Sequence, residues 1–195
     1  MIKFNYKIIS LFVYLLAILS CIYYKIYISC SLFEISIPFV VSYFIIDTYN
    51  ATEMQYRIHH ICGLNLFIYT IYYRIPLDDV GTFIYTIFKT ELSSVFLLFM
   101  PMLEPNSYLF HANNVMFCLS FTKTRIIDMY YGLIIPESGL YIIVDKYTPE
   151  NKLVSVSLIA SCYVLYGLNL YWFLIILRHI YSAVIHLLKQ NKQLS

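Results

Sequence analysis

The chain has 195 residues, 61% of them hydrophobic and only 12% charged, with a mean hydropathy of +0.71. A soluble domain carries about 25% charged residues. Half that share, spread over several long apolar runs, excludes an ordinary globular fold and predicts an all-α, multi-pass transmembrane helical bundle of about six spans. A net charge of +2 without a basic stripe excludes nucleic acid as a partner.

Lys3 and Lys7 precede an apolar run from Ile8 to Tyr24 that ends at Lys25. The run is long for the apolar region of a signal peptide and no small-residue cleavage site follows it, although Ile18-Leu-Ser-Cys21 faintly resembles a lipoprotein box. A first transmembrane helix within residues 1–30 is the expectation. The second segment runs from about Phe33 to Asn50, with Pro38 expected in its first turns, where a missing N–H is tolerated best. Asn50-Ala-Thr52 is a glycosylation sequon by pattern, relevant only if that loop faces a lumen.

The third segment, His59 to Tyr73, is closed by Pro76 and Asp78-Asp79, and is long enough to span only if its helix begins near Thr52. The fourth covers Thr82 to Met102, bounded by Pro101 and Pro105. The fifth starts near Ser107 and reaches about Tyr131, interrupted by Lys123, Arg125 and Asp128. Gly132 to Lys152, with Pro136, Gly139 and Pro149, reads as a long loop with a half-buried helix around Leu140–Val144. The sixth runs from Leu153 to Leu188, long enough to span and then project. Residues 31–190 therefore form one transmembrane domain after the first helix, and 191–195 a short tail.

In a six-span arrangement Lys3, Lys7, Arg57, Lys189 and Lys192 fall on one side, against Lys25, Arg74, Lys146 and Lys152 on the other. That mild bias puts both termini in the cytosol. Cys21, Cys30, Cys62, Cys118 and Cys162 are scattered through apolar runs without zinc spacing, and read as buried free thiols.

Ionisable residues at membrane depth are costly and mark candidate sites. His59 and His60 are adjacent, so on a helix they point about 100° apart, and neither has the i, i+4 histidine partner that zinc pairs on helices use. His179 and His186 lie two turns apart. No metal and no cofactor is expected. A neutral imidazole offers one donor and one acceptor, which suits proton transfer or hydrogen bonding in a cavity; the plainer alternative is an interfacial pair capping the bundle. With a helix that reaches back through the loop, Glu53, Arg57 and His60 share a face.

Glu91 is the stronger outlier, because Lys89 is the one other charge nearby and can snorkel. Glu91 needs a partner, and His59, His60 and Arg125 are the candidates; the alternative is a polar clamp that fixes packing. Thr90 and Ser94, four apart, are placed to hydrogen-bond helix to helix. Asp47, Arg125, Asp128, Asn169 and Trp172 complete the set. Asn169 and Trp172 share a face, with Trp172 deep enough to be a packing or cavity wall residue, whereas Arg178 and His179 read as interfacial.

Five patterns in order, Ser42-Tyr-Phe-Ile-Ile-Asp47, His59-His60, Glu91-Leu-Ser-Ser, Phe117-Cys-Leu-Ser-Phe through Arg125, and Asn169-Leu-Tyr-Trp172, resemble the TLC-domain family over roughly residues 35–190. That family includes ceramide synthases and translocating-chain-associated proteins, and the Glu-Leu-Ser element is most similar to its small members that are not ceramide synthases. Ceramide synthases follow His-His with a His-Asp…Asp element, where this chain has Phe88-Lys-Thr-Glu91. The resemblance implies a multi-pass lipid-handling protein of the endoplasmic reticulum or another endomembrane, with membrane lipids as partners. His59 and His60 are then the candidate catalytic residues, and Asp47, Glu91, Ser94, Arg125, Asn169 and Trp172 the candidate cavity and lipid-binding residues. Three functions stay open: lipid homeostasis or lipid binding without catalysis; an acyl-CoA-dependent N-acyltransferase with a histidine as general base; and a cargo or translocation helper whose polar residues are structural.

Overall fold

The computed structural model describes residues 2–27, 29, 31–72, 75–105, 107–135, 138–147 and 151–194. Cys30, Arg74, Pro136 and Pro149 lie outside them. The structure is all-α. Helix α1 (Ile2–Tyr27) has no proline or glycine to interrupt it and pairs antiparallel with α2 (Ser31–Asn50). Between them the Ser20 and Ser36 hydroxyls meet at 2.5 Å, while each also donates to a carbonyl one turn back in its own helix, those of Leu16 and Leu32. Small hydroxyl residues allow this close approach. Because α2 starts at Ser31, Pro38 sits two turns in rather than in the first turns. It leaves the Glu34 carbonyl without its usual helical donor, an interruption that bundled membrane helices tolerate.

Helix α3 (Met54–Tyr72) does begin before the histidines, at Met54. Glu53 lies just outside it, so the proposed Glu53–Arg57–His60 face does not form; Arg57 turns back and its Nε donates to the Ala51 carbonyl at 2.6 Å. Gly63 lets α2 approach α3: a Cβ there would stand 2.6 Å from the Phe44 ring.

Helices α4 (Leu77–Lys89) and α5 (Glu91–Phe99) are one segment broken at Thr90. Thr90 Oγ1 donates to the Ile87 carbonyl in its own chain rather than across to another helix. Such local back-bonding competes with regular helix hydrogen bonds. A 3₁₀ turn at Met100–Met102, with Pro101 in it, ends the segment. Helix α6 (Tyr108–Phe121) is capped by Ser107, whose hydroxyl accepts from the Phe110 N–H. The charges at Lys123, Arg125 and Asp128 do not interrupt it; the chain continues through π-helical turns at Thr122–Asp128 and Tyr130–Ile134.

Short α7 (Gly139–Tyr147) buries Leu140, Ile143 and Val144 against α4 and the second π turn, as the i, i+3, i+4 spacing dictates. Finally α8 (Lys152–Leu194) runs 43 residues, about 65 Å at 1.5 Å per residue. Asn65 of α3 ties to it through the Ser157 and Ser161 hydroxyls.

Six antiparallel segments result: α1, α2, α3, α4–α5, α6 with its π turns, and α8. The start of α1 and the α2–α3 and α5–α6 connections share one face, called here the near face; α7 lies toward the far face. Among the described residues, five stretches are long and apolar enough to cross a membrane: Ile8–Tyr27, Ser31–Asn50, Gly81–Met102, Tyr108–Tyr147 and Lys152–Ile185. The remaining segment, α3, carries Arg57, His59, His60 and Asn65, which lower its hydropathy. Large apolar side chains on α1 and α2, among them Phe12, Leu19, Ile35 and Ile45, point outward. Inside, Phe33, Phe67 and Phe88 are fully buried with Leu66, Ile84 and Leu133. An apolar exterior around a packed core is the pattern of an integral membrane protein.

Candidate functional site: a polar-floored cavity

Glu91 lies at the middle of the Gly81–Met102 stretch and Asn169 at the middle of Lys152–Ile185, so both sit deep in the bundle. Arg125 joins them from the π-helical segment, and both members of the Arg125–Glu91 pair are buried. The guanidinium is held at three points: Nε donates to Ser93 Oγ at 2.8 Å, Nη2 to Ser94 Oγ at 2.8 Å, and Nη1 to Asn169 Oδ1 at 3.3 Å. The Glu91 carboxylate stands 4.0 Å from Nη2, an ion pair without a hydrogen bond. Phe121 covers the guanidinium at 5.7 Å, within cation–π range. Asn169 is satisfied on both sides, since its amide also donates to Met129 Sδ.

This network floors a cavity of about 890 Å³. From the floor to the near face the walls differ. Asp47, His60, His59, Tyr56 and Trp172 line it from α2, α3 and α8; Leu97, Leu98, Ile175, Ile176 and Ile180 line it from α5 and α8. Tyr14 and Tyr43, joined hydroxyl to hydroxyl at 2.8 Å, close the α1–α2 side.

The two histidines are not equivalent. His60 Nε2 meets Asp47 Oδ2 at 2.5 Å. The carboxylate can only accept from Nε2–H, which leaves the lone pair of a neutral ring on Nδ1. That Nδ1 is buried and has no partner among the described residues, so His60 cannot receive a proton from a cavity occupant without turning its ring. His59 packs edge to face on His60 and tilts against Trp172, with ring centroids 5.4 Å away in each case. Its Nδ1 is likewise sealed without a partner, which leaves Nε2 to meet an occupant. Trp172 stacks on Tyr56 at 5.3 Å, and its Nε1 is buried with no acceptor among the described residues. Asn114 Oδ1, also on the cavity wall, has no donor.

Of the residues singled out from sequence, Asp47, His59, His60, Glu91, Ser94, Arg125 and Trp172 all line this one cavity, and Asn169 stands behind Arg125. Among Glu91's candidate partners the geometry selects Arg125, while His60 pairs with Asp47. Lys89 does not simply snorkel: it pairs with Asp128 at 2.7 Å and lies 4.8 Å over the Tyr85 ring. Asp128 also binds Lys123, so it belongs to a separate cluster. His179, expected at the interface, lines the cavity mouth, with Nδ1 on the Ile175 carbonyl. Tyr14, Tyr56 and Asn114 carried no sequence signal, and Tyr43 entered only as part of the Ser42–Asp47 pattern: a tyrosine among 21, or an asparagine beside another, is unremarked in an apolar run. Among the described residues, no group of three or more His, Cys, Asp or Glu side chains could hold a metal ion. No protein-family model, curated protein or solved structure matches this chain.

Proposed function

We propose that this chain is a multi-pass endomembrane protein of TLC type that holds a membrane lipid inside its bundle, serving lipid homeostasis as a binding or sensing protein. One observation carries the reading: the 890 Å³ cavity has ionisable groups at its floor and along one wall, and aliphatic side chains along the other. That combination matches an amphiphile, and the volume lies in the range of about 300–1,000 Å³ that small-molecule sites occupy. All five motifs behind the family resemblance contribute side chains to the lining: Asp47, the His59-His60 pair, Glu91 with Ser94, Phe117 through Arg125, and Trp172. A solid core would have favoured a translocation helper instead.

The acyl-transfer reading draws on the Asp47–His60 contact, since a carboxylate that orients an imidazole is how a general base is prepared. The sealed Nδ1 of His60 weighs against it. On the side of topology, the lysines and arginines nearest the near face (Arg57 by structure, Lys3, Lys7, Lys189 and Lys192 by position) support a cytosolic near face in the endoplasmic reticulum or a related membrane.

Purification in mild detergent followed by lipid extraction and mass spectrometry tests the proposal. The wild-type protein should carry a discrete lipid near one per chain, and Ser94→Phe, which fills the floor, should lose it. Equal, nonspecific lipid in both would refute lipid holding. Turnover of labelled acyl-CoA with long-chain amines, abolished by His60→Ala, would replace the binding reading with the enzymatic one.

A further inference from the structure

Resting on the reading that the cavity holds a lipid, its charges and its unpartnered atoms restrict the head group. The lining contains three formal charges from Asp, Glu and Arg: Asp47, Glu91 and Arg125. Each faces a counter-group, Glu91 with Arg125 and Asp47 with His60. If His60 is neutral the set is negative by one charge, and if His60 is protonated it is neutral. The lining also carries His59 and His179, and with its histidines neutral the set has no positive surplus for an ionised phosphate or carboxylate. A cation finds no unpaired carboxylate, and would have to displace His60 or Arg125 to reach one. Burying an ion without a counter-charge is far costlier than burying a hydrogen-bonded neutral group.

Among the described residues, the buried polar atoms left over on this wall belong to Trp172, Asn114, His59 and His60. Trp172 Nε1 is a donor without an acceptor, Asn114 Oδ1 an acceptor without a donor, and the His59 ring has a sealed Nδ1 and a second nitrogen for the cavity. The guanidinium uses three of its five N–H groups on Ser93, Ser94 and Asn169, so it has capacity for an oxygen that bears no net charge. A buried unsatisfied polar group in a native fold calls for an occupant or a water. We propose that the cavity selects an uncharged lipid whose head group carries both hydroxyl and ester oxygens, a monoacylglycerol being the simplest. Trp172 Nε1 and Asn114 Oδ1 are closed off like the histidine Nδ1 atoms, so these two side chains turn toward the head group for its hydroxyls to accept from Nε1 and donate to Oδ1, while the ester carbonyl accepts from Arg125.

Three probes with one chain and different head groups test this on the full-length protein in detergent: monooleoylglycerol, oleoyl lysophosphatidate and oleylamine, with binding read by native mass spectrometry and by displacement of a fluorescent fatty alcohol. Monooleoylglycerol should bind at least about tenfold tighter than either charged probe. Trp172→Phe, which keeps the ring on Tyr56 but removes the N–H, and Asn114→Ala should each weaken it roughly threefold to tenfold, the range of one net hydrogen bond. The two variants report independently, so a folding defect in one leaves the other informative. If lysophosphatidate or oleylamine binds as tightly as monooleoylglycerol, the uncharged assignment is wrong while the lipid cavity stands. If no probe displaces the fluorescent alcohol, the lipid-holding reading itself falls.

Discussion

Arg125→Met is the most discriminating single change. It removes the hydrogen bonds to Ser93, Ser94 and Asn169 and leaves Glu91 without its counter-charge at mid-depth. Side-chain hydrogen bonds between membrane helices average only about 0.6 kcal/mol, so the three together are worth about 2 kcal/mol. Stripping one partner from a buried ion pair costs about 3–5 kcal/mol. The cavity offers Glu91 some solvent, so the lower end of that range applies, about 3 kcal/mol, and the total is about 5 kcal/mol. Glu91→Gln is a different perturbation. At 4.0 Å no hydrogen bond is lost. The Coulomb attraction, about 4 kcal/mol at an effective dielectric of 20, is largely offset by no longer burying a carboxylate, and the guanidinium left behind keeps its three hydrogen bonds, unlike the bare carboxylate left by Arg125→Met, so about 1 kcal/mol remains. The double variant removes both charges and should lie near 2 kcal/mol, more stable than Arg125→Met alone. Unfolding in mixed micelles with rising dodecyl sulfate, followed by circular dichroism, measures all three. A Glu91→Gln cost equal to that of Arg125→Met, or a double variant no better than Arg125→Met, would refute the assignment of Arg125 as the hub.

Other expectations use the same unfolding assay or simple labelling. Gly132→Ala should destabilise by about 1–3 kcal/mol, because its Cβ would stand 2.5 Å from Thr86 Oγ1 and 3.0 Å from Thr86 Cβ. Gly167→Ala, with nothing within 4 Å, should instead stabilise by up to about 1 kcal/mol through helix propensity. Asp47→Asn keeps an acceptor for His60 Nε2–H and should cost about 1 kcal/mol, whereas Asp47→Leu leaves both ring nitrogens of a buried imidazole unpartnered and should cost about 2–3 kcal/mol; equal losses would mean the contact is incidental. Cys118 is half-buried on the cavity wall while Cys21, Cys62 and Cys162 are buried. Maleimide should therefore modify Cys118 ahead of those three, and monooleoylglycerol should slow that reaction selectively, as read by peptide mass spectrometry.

The helical class was legible because outward-facing and inward-facing apolar residues both raise hydropathy, and the sum exposes every long run except α3. The candidate site was legible for the reason that makes it expensive: Glu91, Arg125 and Asp47 stand out only against hydrocarbon. Partner choice was not legible. Glu91 had three plausible partners in sequence, and selecting Arg125 took the π-helical turns that aim residue 125 at α5. The break at Thr90 was hidden too, because threonine is common in membrane helices and its back-bond to Ile87 is a local geometric choice. Tyr14 of α1 reached the cavity through interhelical docking, which leaves no mark on the order of residues.

The π-helical turns at Thr122–Ile134 make the register of the α6 segment a quantity counted in whole residues. A π turn accommodates an inserted residue, and each α-helical residue carries about 100° of rotation. Deleting one residue between Phe121 and Arg125 would let the segment relax to α-helix with Arg125 still aimed toward Ser93, Ser94 and Asn169, whereas inserting a further residue there would swing it about 100° away. Deleting one between Ile134 and Gly139 would leave the guanidinium where it is. The presence of the cavity's cation at mid-depth is thus governed by length as much as by side-chain identity: a chain one residue longer before Arg125 could keep every polar residue named here and still lack the floor they build.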